Sequence, residues 1–322
     1  MLNLANPFTS NNFDVTASIQ SSANRCLPTQ ALNDTALVAE GGGQRGIFTA
    51  GVLDSWLHAG FNPFDLLIGT SAGAQNLSSY MTCQKGFGRN SITSLSRDPK
   101  FFNLSRTLIG KHAVDLDWYF DQVEKADNQL NIGCGEERLR SRQLLFTATK
   151  ADDNSAAFFA PKRDNWLTLL KASSALPILY KKGVKIDNEY YVDGGVAAPV
   201  PVEEAYLRGA KRIVVIRTVP KDSAIQSPWA HKLKSVLCND KRCPKVLDLI
   251  THHENAYQRT LDFIAQPPSD VEIVQIHPQQ ALTSRLVGSR PEWLNTDYAL
   301  GFQAGLNFLQ QDNQHSIKHG AF

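Results

Sequence analysis

The chain has 322 residues, of which 42% are hydrophobic and 20% are charged, and its formal net charge is +2 at pH 7. Such a composition is ordinary for a globular protein with a sizeable core. The near-neutral charge produces no overall field that would favour nucleic acid as a partner. No segment approaches the run of about 20 apolar residues that a membrane-spanning helix requires.

The N-terminal residues and the cysteines indicate the compartment. Residues 1–33 form a polar arm without an apolar run of signal-peptide length. The five cysteines are odd in number and scattered, which disfavours a disulfide framework and favours a reducing cytosol. Cys238 and Cys243 lie close together, but no second pair accompanies them to complete a zinc site. We therefore expect a cytoplasmic protein, with peripheral contact at the inner membrane face as an option.

Periodic hydrophobicity predicts that strands and helices alternate along the chain. The predicted strands are 35–39, 64–69, 144–149, 190–192, 212–217 and 271–276. The predicted helices are 46–59, 72–81, 97–109, 115–125, 164–175, 243–265 and 294–310. This alternation predicts an α/β fold in which helices cover both faces of a mostly parallel sheet, a three-layer α/β/α sandwich.

A nucleophile motif follows the second predicted strand. The segment Gly69-Thr70-Ser71-Ala72-Gly73 has the G-x-S-x-G pattern and lies between an apolar strand and a helix. A nucleophilic serine requires such a sharp strand-to-helix turn, and flanking glycines let the backbone pass closely. The following helix directs its positive end at the site, which favours an oxyanion. The pattern therefore predicts Ser71 as a nucleophile.

A glycine-rich turn follows the first predicted strand. It comprises Gly41, Gly42, Gly43, Gln44, Arg45 and Gly46. Successive backbone N–H groups in such a turn can bind an anion, as an oxyanion hole or as a dinucleotide cradle. The cradle requires an acidic residue at the end of the next strand, about 20 residues on. Asp65 instead lies near the beginning of that strand, so we favour the oxyanion hole.

A short strand delivers Asp193 to the glycine turn Gly194-Gly195. Asp-Gly alone usually marks a solvated turn. A serine nucleophile needs a general base, however, and no histidine is obviously placed to serve. The pair His252-His253 is interpreted as a surface pair on a helix, because adjacent helical residues do not share a face. Asp193 is thus the candidate base.

The ordered motifs resemble those of the patatin-like phospholipases. The set is Gly-Gly-Gly-x-Arg-Gly at 41–46, Gly-Thr-Ser-Ala-Gly at 69–73, Ala-Ser-Ser-Ala-Leu-Pro at 172–177 and Asp-Gly-Gly at 193–195. The resemblance implies a patatin-like α/β/α core over 34–220 and a Ser71–Asp193 dyad without histidine. It also implies an oxyanion hole in the 41–46 backbone. Residues 221–322 carry no motif of the family, and we expect them to pack on the core or complete it.

The resemblance implies a serine esterase that cleaves acyl esters of phospholipids or related lipids without metal or organic cofactor. Two alternatives stay open: a general carboxylesterase or acyltransferase with the same dyad, and a non-catalytic lipid-binding protein with the same fold. The segment Ala197-Ala198-Pro199 departs from the family, many members of which carry an asparagine there. This departure is the feature that favours the non-catalytic alternative.

Basic side chains near these motifs have two interpretations each. Arg45 is interpreted first as a brace for the glycine-rich loop and second as a phosphate ligand. Lys181, Lys182 and Lys185 are interpreted first as a solvated hairpin and second as a site for anionic headgroups.

Overall fold

A computed structural model describes residues 34–125, 128–177, 179–221, 223 and 244–318. The predicted polar arm at 1–33 and the pair Cys238 and Cys243 lie outside the described residues. The described residues belong to a single compact unit.

Eight strands of the described residues form a single sheet. They are β1 (Thr35–Ala39), β2 (Leu66–Thr70), β3 (Gln143–Lys150), β4 (Ala156–Phe159), β5 (Val184–Ile186), β6 (Glu189–Asp193), β7 (Arg212–Ile216) and β8 (Glu272–Ile276). Their order is β5-β6-β3-β2-β1-β7-β8, with β4 also paired to β3. Strands β3, β2, β1, β7 and β8 are parallel, whereas β4, β5 and β6 join as antiparallel strands. The sheet is therefore mostly parallel, as predicted.

Nine α-helices are present in the described residues. They are α1 (Ile47–His58), α2 (Ala72–Met81), α3 (Phe87–Thr93), α4 (Leu116–Val123), α5 (Ile132–Arg138), α6 (Trp166–Ser173), α7 (Val202–Leu207), α8 (Pro244–Ala265) and α9 (Pro291–Lys318). Short 3₁₀ turns occupy Gly43–Gly46, Leu95–Arg97 and Leu104–Ile109.

Two hydrophobic clusters cover the two faces of the sheet. Because side chains alternate along a strand, Leu37 of β1 packs in one cluster, with side chains of α1, α2 and α6. Val38 packs in the other, with side chains of α7 and α8. The result is the predicted three-layer α/β/α sandwich.

The C-terminal region contributes to the sheet and to both helical layers, since α8 packs on one face and α9 on the other. Strand β8 pairs in parallel with β7, from Arg212 with Glu272 to Ile216 with Ile276. Helix α9 packs along α1, where the indole of Trp56 donates a hydrogen bond to the Gly305 carbonyl at 3.1 Å. The C-terminal residues thus extend the sheet at the edge beside β7.

The helix predicted at 97–109 is wrong. Two 3₁₀ turns replace it, because Pro99 lacks the N–H that a continuous helix would use and disfavours helical backbone at the residue before it. The side chains of Asp98 and Asn103 then accept hydrogen bonds from the backbone N–H groups of Lys100 and Ser105, at 2.7 and 2.9 Å. These local bonds stabilise turns in place of helix.

Candidate active site

Ser71 lies at a sharp turn between β2 and α2, where the predicted strand and helix meet. Its backbone has φ 54° and ψ −120°, a conformation that L-residues rarely adopt. The neighbouring glycines make the turn feasible, because a Cβ on Gly69 would lie 2.6 Å from backbone atoms of Ala74. A Cβ on Gly73 would collide with the Ala39 carbonyl. The strained turn sets the Ser71 side chain beyond the end of the sheet, facing Asp193.

Asp193 ends β6 and faces Ser71. The Ser71 hydroxyl donates a hydrogen bond to Asp193 Oδ2 at 2.8 Å, and the Gly195 N–H donates to Asp193 Oδ1 at 2.7 Å. The Asp193 residue is only 6% exposed. Burial raises its carboxyl pKa to about 6, against the opposing effects of the Gly195 and Ser71 hydrogen bonds. A carboxylate with this pKa is a stronger base than an exposed aspartate and is still mostly ionised at pH 7.

The Ala-Ser-Ser-Ala-Leu-Pro segment joins the serine turn to the aspartate turn. Its Ser173 hydroxyl accepts a hydrogen bond from the Ser71 N–H at 2.9 Å. Its backbone carbonyls at Ala175 and Ser173 accept from the N–H groups of Asp193 and Gly194, at 3.0 and 3.3 Å. One segment therefore sets the spacing between the hydroxyl and the carboxylate.

The glycine-rich turn lies beside Ser71, but its N–H groups are not equally available. The Gln44 N–H donates to the Leu286 carbonyl at 2.9 Å, the Arg45 N–H to Gly42 at 3.2 Å and the Gly41 N–H to Pro199 at 3.4 Å. Within the described part of the chain, the N–H groups of Gly42 and Gly43 make no hydrogen bond. Their φ angles of 153° and 58° suit glycine. Gly46 lies in the first helical turn after this loop.

The segment that departs from the family is anchored without an asparagine side chain. Ala198 accepts a hydrogen bond from the Thr70 hydroxyl at 2.9 Å, and the Ala197 N–H donates to the Thr149 hydroxyl at 3.2 Å. The same Thr149 hydroxyl donates to the Asp193 carbonyl at 2.9 Å. Thr149, which sequence reasoning did not single out, therefore links the departing segment to the aspartate.

The C-terminal helix α8 brings His253 to the aspartate turn. His253 is only 3% exposed, so its interpretation as a surface residue is wrong. Its Nδ1 lies 2.5 Å from the Gly195 carbonyl. Since a carbonyl only accepts, Nδ1 carries the proton. Burial lowers the pKa of His253, as do Arg45 and His252, whereas the Gly195 bond and Glu254 oppose the shift.

A second contribution of α8 is Tyr257, whose hydroxyl donates to Glu40 Oε1 at 2.6 Å. Glu40 follows β1 directly and also accepts from the Thr218 N–H at 2.5 Å. Arg217 donates to the Tyr257 hydroxyl at 3.3 Å. This buried network holds the ends of β1 and β7 beneath the glycine-rich turn. Sequence reasoning missed it because no local motif marks any of its members.

Two adjoining cavities open on Ser71 and Asp193. One, of about 90 Å³, has an apolar wall of Ile92, Phe101, Val114, Leu116, Leu176 and Leu179. The other, of about 40 Å³, has the charged and polar side chains of Glu40, Arg45, His253 and Tyr257 in its lining, beside Gly41–Gly43. Arg45 is buried, and its Nε atom makes no hydrogen bond to any described residue. The reactive pair thus lies between an apolar cavity and one that is lined by charged side chains of both signs.

The described residues contain no group of three or more His, Cys, Asp or Glu side chains arranged to hold a metal ion. Asp65 lies before β2, at the opposite end of that strand from Ser71, and accepts a 3.5 Å hydrogen bond from the Thr35 N–H. It does not approach the glycine-rich turn as a ribose ligand would. Among the described helices, none is both long enough and apolar enough to cross a membrane.

Comparison with known proteins gives two family matches. The family model described as patatin-like phospholipase matches residues 37–206, and a domain of unknown function, DUF6363, matches residues 243–314. The uncharacterized protein YjjU of Escherichia coli (strain K12) is 41% identical over 277 residues, which cover 85% of this chain and 76% of that protein. The crystal structure of VipD from Legionella pneumophila has a TM-score of 0.43 and 13% identity, covering 86% of this chain and 67% of that one.

Proposed function

Because the chain belongs to the patatin-like phospholipase family, we propose that it is a serine lipid-acyl hydrolase in which Ser71 is the nucleophile and Asp193 the general base. The observation that carries this proposal is the 2.8 Å hydrogen bond from the Ser71 hydroxyl to a buried carboxylate. A nucleophile within hydrogen-bond reach of its base is the geometry that acyl transfer requires.

In the first step, Asp193 Oδ2 accepts the hydroxyl proton as Ser71 Oγ forms a bond to the ester carbonyl carbon. The carbonyl oxygen becomes an oxyanion, and the N–H groups of Gly42 and Gly43 are free to donate to it. Collapse of the intermediate returns the proton to the departing alkoxide, which leaves as an alcohol, and the acyl group stays on Ser71. Water then releases the acid, with Asp193 again as the base.

The two cavities assign the two parts of the substrate. The apolar cavity suits a fatty-acyl chain, because its wall consists of aliphatic and aromatic side chains. The second cavity holds the Arg45 guanidinium beside the Glu40 carboxylate, and Arg45 Nε makes no hydrogen bond to any described residue, so this nitrogen can donate to a phosphate oxygen on the leaving alcohol. We therefore propose a phospholipid, or another anionic acyl ester, over a neutral ester.

The test combines covalent labelling with turnover. A fluorophosphonate probe should label the wild-type protein but not Ser71→Ala, and Asp193→Asn should label at least about 100-fold more slowly because the base is lost. Ser174→Ala is the matched control, since Ser174 lines the same cavity and, among the described residues, its side chain bonds only to Gln75. Labelling of Ser71→Ala equal to that of the wild type would refute the nucleophile.

Substrate choice separates the proposal from its alternatives. We expect turnover of long-chain phospholipids above that of short p-nitrophenyl esters, and Arg45→Gln should reduce the former more than the latter. Equal turnover of both classes would indicate a general carboxylesterase. Folded protein that binds lipid but neither labels nor hydrolyses would indicate a non-catalytic role.

A further inference from the structure

A hairpin-like segment beside the apolar cavity exposes two large aliphatic side chains. Leu104 is 61% exposed and Ile109 is 70% exposed, and both lie in the 3₁₀ turn Leu104–Ile109 at the tip of the segment 99–114. The base of this segment is closed by the bridge between Phe102 and Val114 and by the 2.9 Å bond from the Asn103 N–H to Ala113. The aliphatic tip is thus held at the surface by a defined fold.

Hydrogen bonds from the Arg106 side chain fix the tip in this position. The Arg106 guanidinium donates to the Phe101 carbonyl at 2.7 Å and to Asp115 Oδ2 at 3.1 Å. This arginine therefore ties the tip to the base of the hairpin. Two large aliphatic side chains that a braced turn exposes together make this tip a candidate contact surface.

Exposed lysines surround this tip. Lys100 and Lys111 lie in the hairpin, and Lys181 and Lys182 lie in a neighbouring segment. The two segments are joined by the 3.1 Å bond from the Lys181 N–H to His112 Nδ1 and by stacking of His112 on Tyr180. None of the four lysines has a carboxylate of the described residues within ion-pair distance, whereas Lys150, Lys171 and Lys211 are all paired.

The segments 99–114 and 179–182 contain five basic residues and no acidic one. Of the acidic residues that flank the first segment, Asp115 pairs with Arg106 and Asp117 with Lys171, whereas Asp98 accepts a hydrogen bond from the Lys100 N–H and keeps its charge. The surface therefore presents a net positive charge beside an aliphatic tip. This combination complements a bilayer that contains anionic lipids, in which aliphatic groups enter the interface and lysines meet headgroups.

We infer that the segment 99–114 and residues 179–182 together form a docking surface for an anionic lipid bilayer. The same two segments supply Phe101, Val114 and Leu179 to the wall of the apolar cavity. A lipid leaving the bilayer at this surface would therefore meet the apolar wall of the cavity that contains Ser71. That last step rests on the proposed function, whereas docking itself does not.

Docking is measured with the inactive Ser71→Ala protein, so that no lipid is consumed. The protein is sedimented with vesicles of phosphatidylcholine alone and with vesicles that also contain about 30% phosphatidylglycerol, a content that gives a strong negative surface potential. We expect binding to the anionic vesicles that weakens as salt rises. Replacing all four lysines by glutamine should lower the partition coefficient at least about tenfold. Replacing Leu104 and Ile109 by serine should lower it about fivefold or more on the same vesicles.

Matched controls lie at the opposite end of the parallel strands from Ser71. Leu207, at the end of α7, is 76% exposed, and Lys211 lies directly before β7. Leu207→Ser and Lys211→Gln should bind the vesicles as the parent protein does. The inference would be overturned if the parent protein, with its lysines and aliphatic tip unchanged, did not bind anionic vesicles. It would also be overturned if the control substitutions lowered the partition coefficient as much as the substitutions in the docking surface. Binding instead to an acidic protein or to a second copy, with none to vesicles, would also overturn it.

The two proposals fail separately. Turnover of the active protein on a short-chain phospholipid, dispersed as monomers, reports on Ser71 without a bilayer. No turnover there, with vesicle binding intact, would refute the proposed function and leave docking in place. Turnover of the short-chain phospholipid without vesicle binding would refute docking and leave the proposed function in place.

Discussion

The imidazole of His253 bonds to the carbonyl of Gly195, two residues beyond Asp193 in the chain, with a separation of 2.5 Å. His253 belongs to helix α8, outside the part of the chain that matches the patatin-like family. The Gly195 N–H in turn donates to Asp193 Oδ1 at 2.7 Å. The C-terminal region is therefore in direct contact with the turn that holds the candidate base.

We predict that His253→Leu shifts the acid limb of the pH profile of kcat/KM to higher pH, by about one unit. Without the imidazole the Gly195 turn loosens. The hydrogen bond from the Gly195 N–H to Asp193 then weakens and no longer lowers the Asp193 pKa. His253→Asn should restore most of the wild-type profile, because the asparagine amide can donate from nearly the position of Nδ1. A leucine variant with an unmoved acid limb, or an asparagine variant no better than leucine, would contradict a positioning role.

A pH dependence follows from Asp193 itself. A general base must be deprotonated, so activity should fall as pH drops through the Asp193 pKa of about 6. The measurement is kcat/KM on a substrate whose own charge does not change between pH 5 and 8. A profile that stays flat down to pH 4 would contradict the assignment of Asp193 as base.

The same shift has a consequence for stability. The folded pKa of Asp193 is about 6, above its usual value of 3.8, because burial disfavours the carboxylate. The folded state therefore binds the proton more tightly than the unfolded state, and this carboxyl lowers the free energy of unfolding as pH rises from about 4 to 6. Asp193→Asn should remove the penalty and raise the free energy of unfolding by roughly 1–3 kcal/mol at pH 8. Little change is expected at pH 4.

Urea unfolding of wild type and Asp193→Asn at the two pH values measures this effect. Asparagine can accept the Gly195 N–H and donate to Ser71, so both hydrogen-bonded positions stay filled. An unchanged or lowered stability of the variant at pH 8 would show that the burial penalty is offset elsewhere.

Local patterns predicted the elements that carry the site, because each depends on neighbouring residues. Glycines at 69 and 73 around Ser71 predict the turn, and the structure has β2 and α2 on either side of it. The contact of Ser71 with Asp193 joins residues 122 positions apart. The need for a base and the lack of a well-placed histidine made Asp193 a candidate, and the family resemblance implied the pair. The periodicity of hydrophobic residues predicts local elements and does not predict which distant residues come into contact.

The features that sequence reasoning missed depend on long-range packing. His253 and Tyr257 are buried because α8 packs against the ends of β1 and β7, yet a histidine pair on a helix carries no local sign of that contact. Strands β4 and β5 were missed because they are short and pair in antiparallel fashion with neighbours that their own sequence does not specify. Tertiary contacts decide such positions.

Thr149 supports the aspartate turn through two hydrogen bonds, one to the Asp193 carbonyl and one from the Ala197 N–H. Thr149→Val keeps the side-chain shape but leaves the Ala197 N–H unpaired and removes one of the two hydrogen bonds to the Asp193 carbonyl, which still accepts from the Val196 N–H at 3.2 Å. This change should cost about 1–3 kcal/mol of stability. It should also lower kcat, because the Asp193 carboxylate loses its support. Thr149→Ser should restore both quantities. A wild-type kcat in the valine variant would show that the aspartate turn keeps its position without the Thr149 hydrogen bonds.

The contact between α1 and α9 predicts a separate effect on stability. A Cβ on Gly301 would collide with the Phe48 carbonyl, so only glycine lets the two helix backbones approach this closely. Gly301→Ala should therefore lower the free energy of unfolding by about 1–3 kcal/mol through overpacking, despite the better helix propensity of alanine. Gly133→Ala in α5 is the matched control, because among the described residues the one atom within 4 Å of the added Cβ is Asn131 Oδ1, at 3.8 Å. That change should be neutral or stabilising by up to about 1 kcal/mol. Equal stability of the two variants in urea would mean that α9 can shift along α1 without cost.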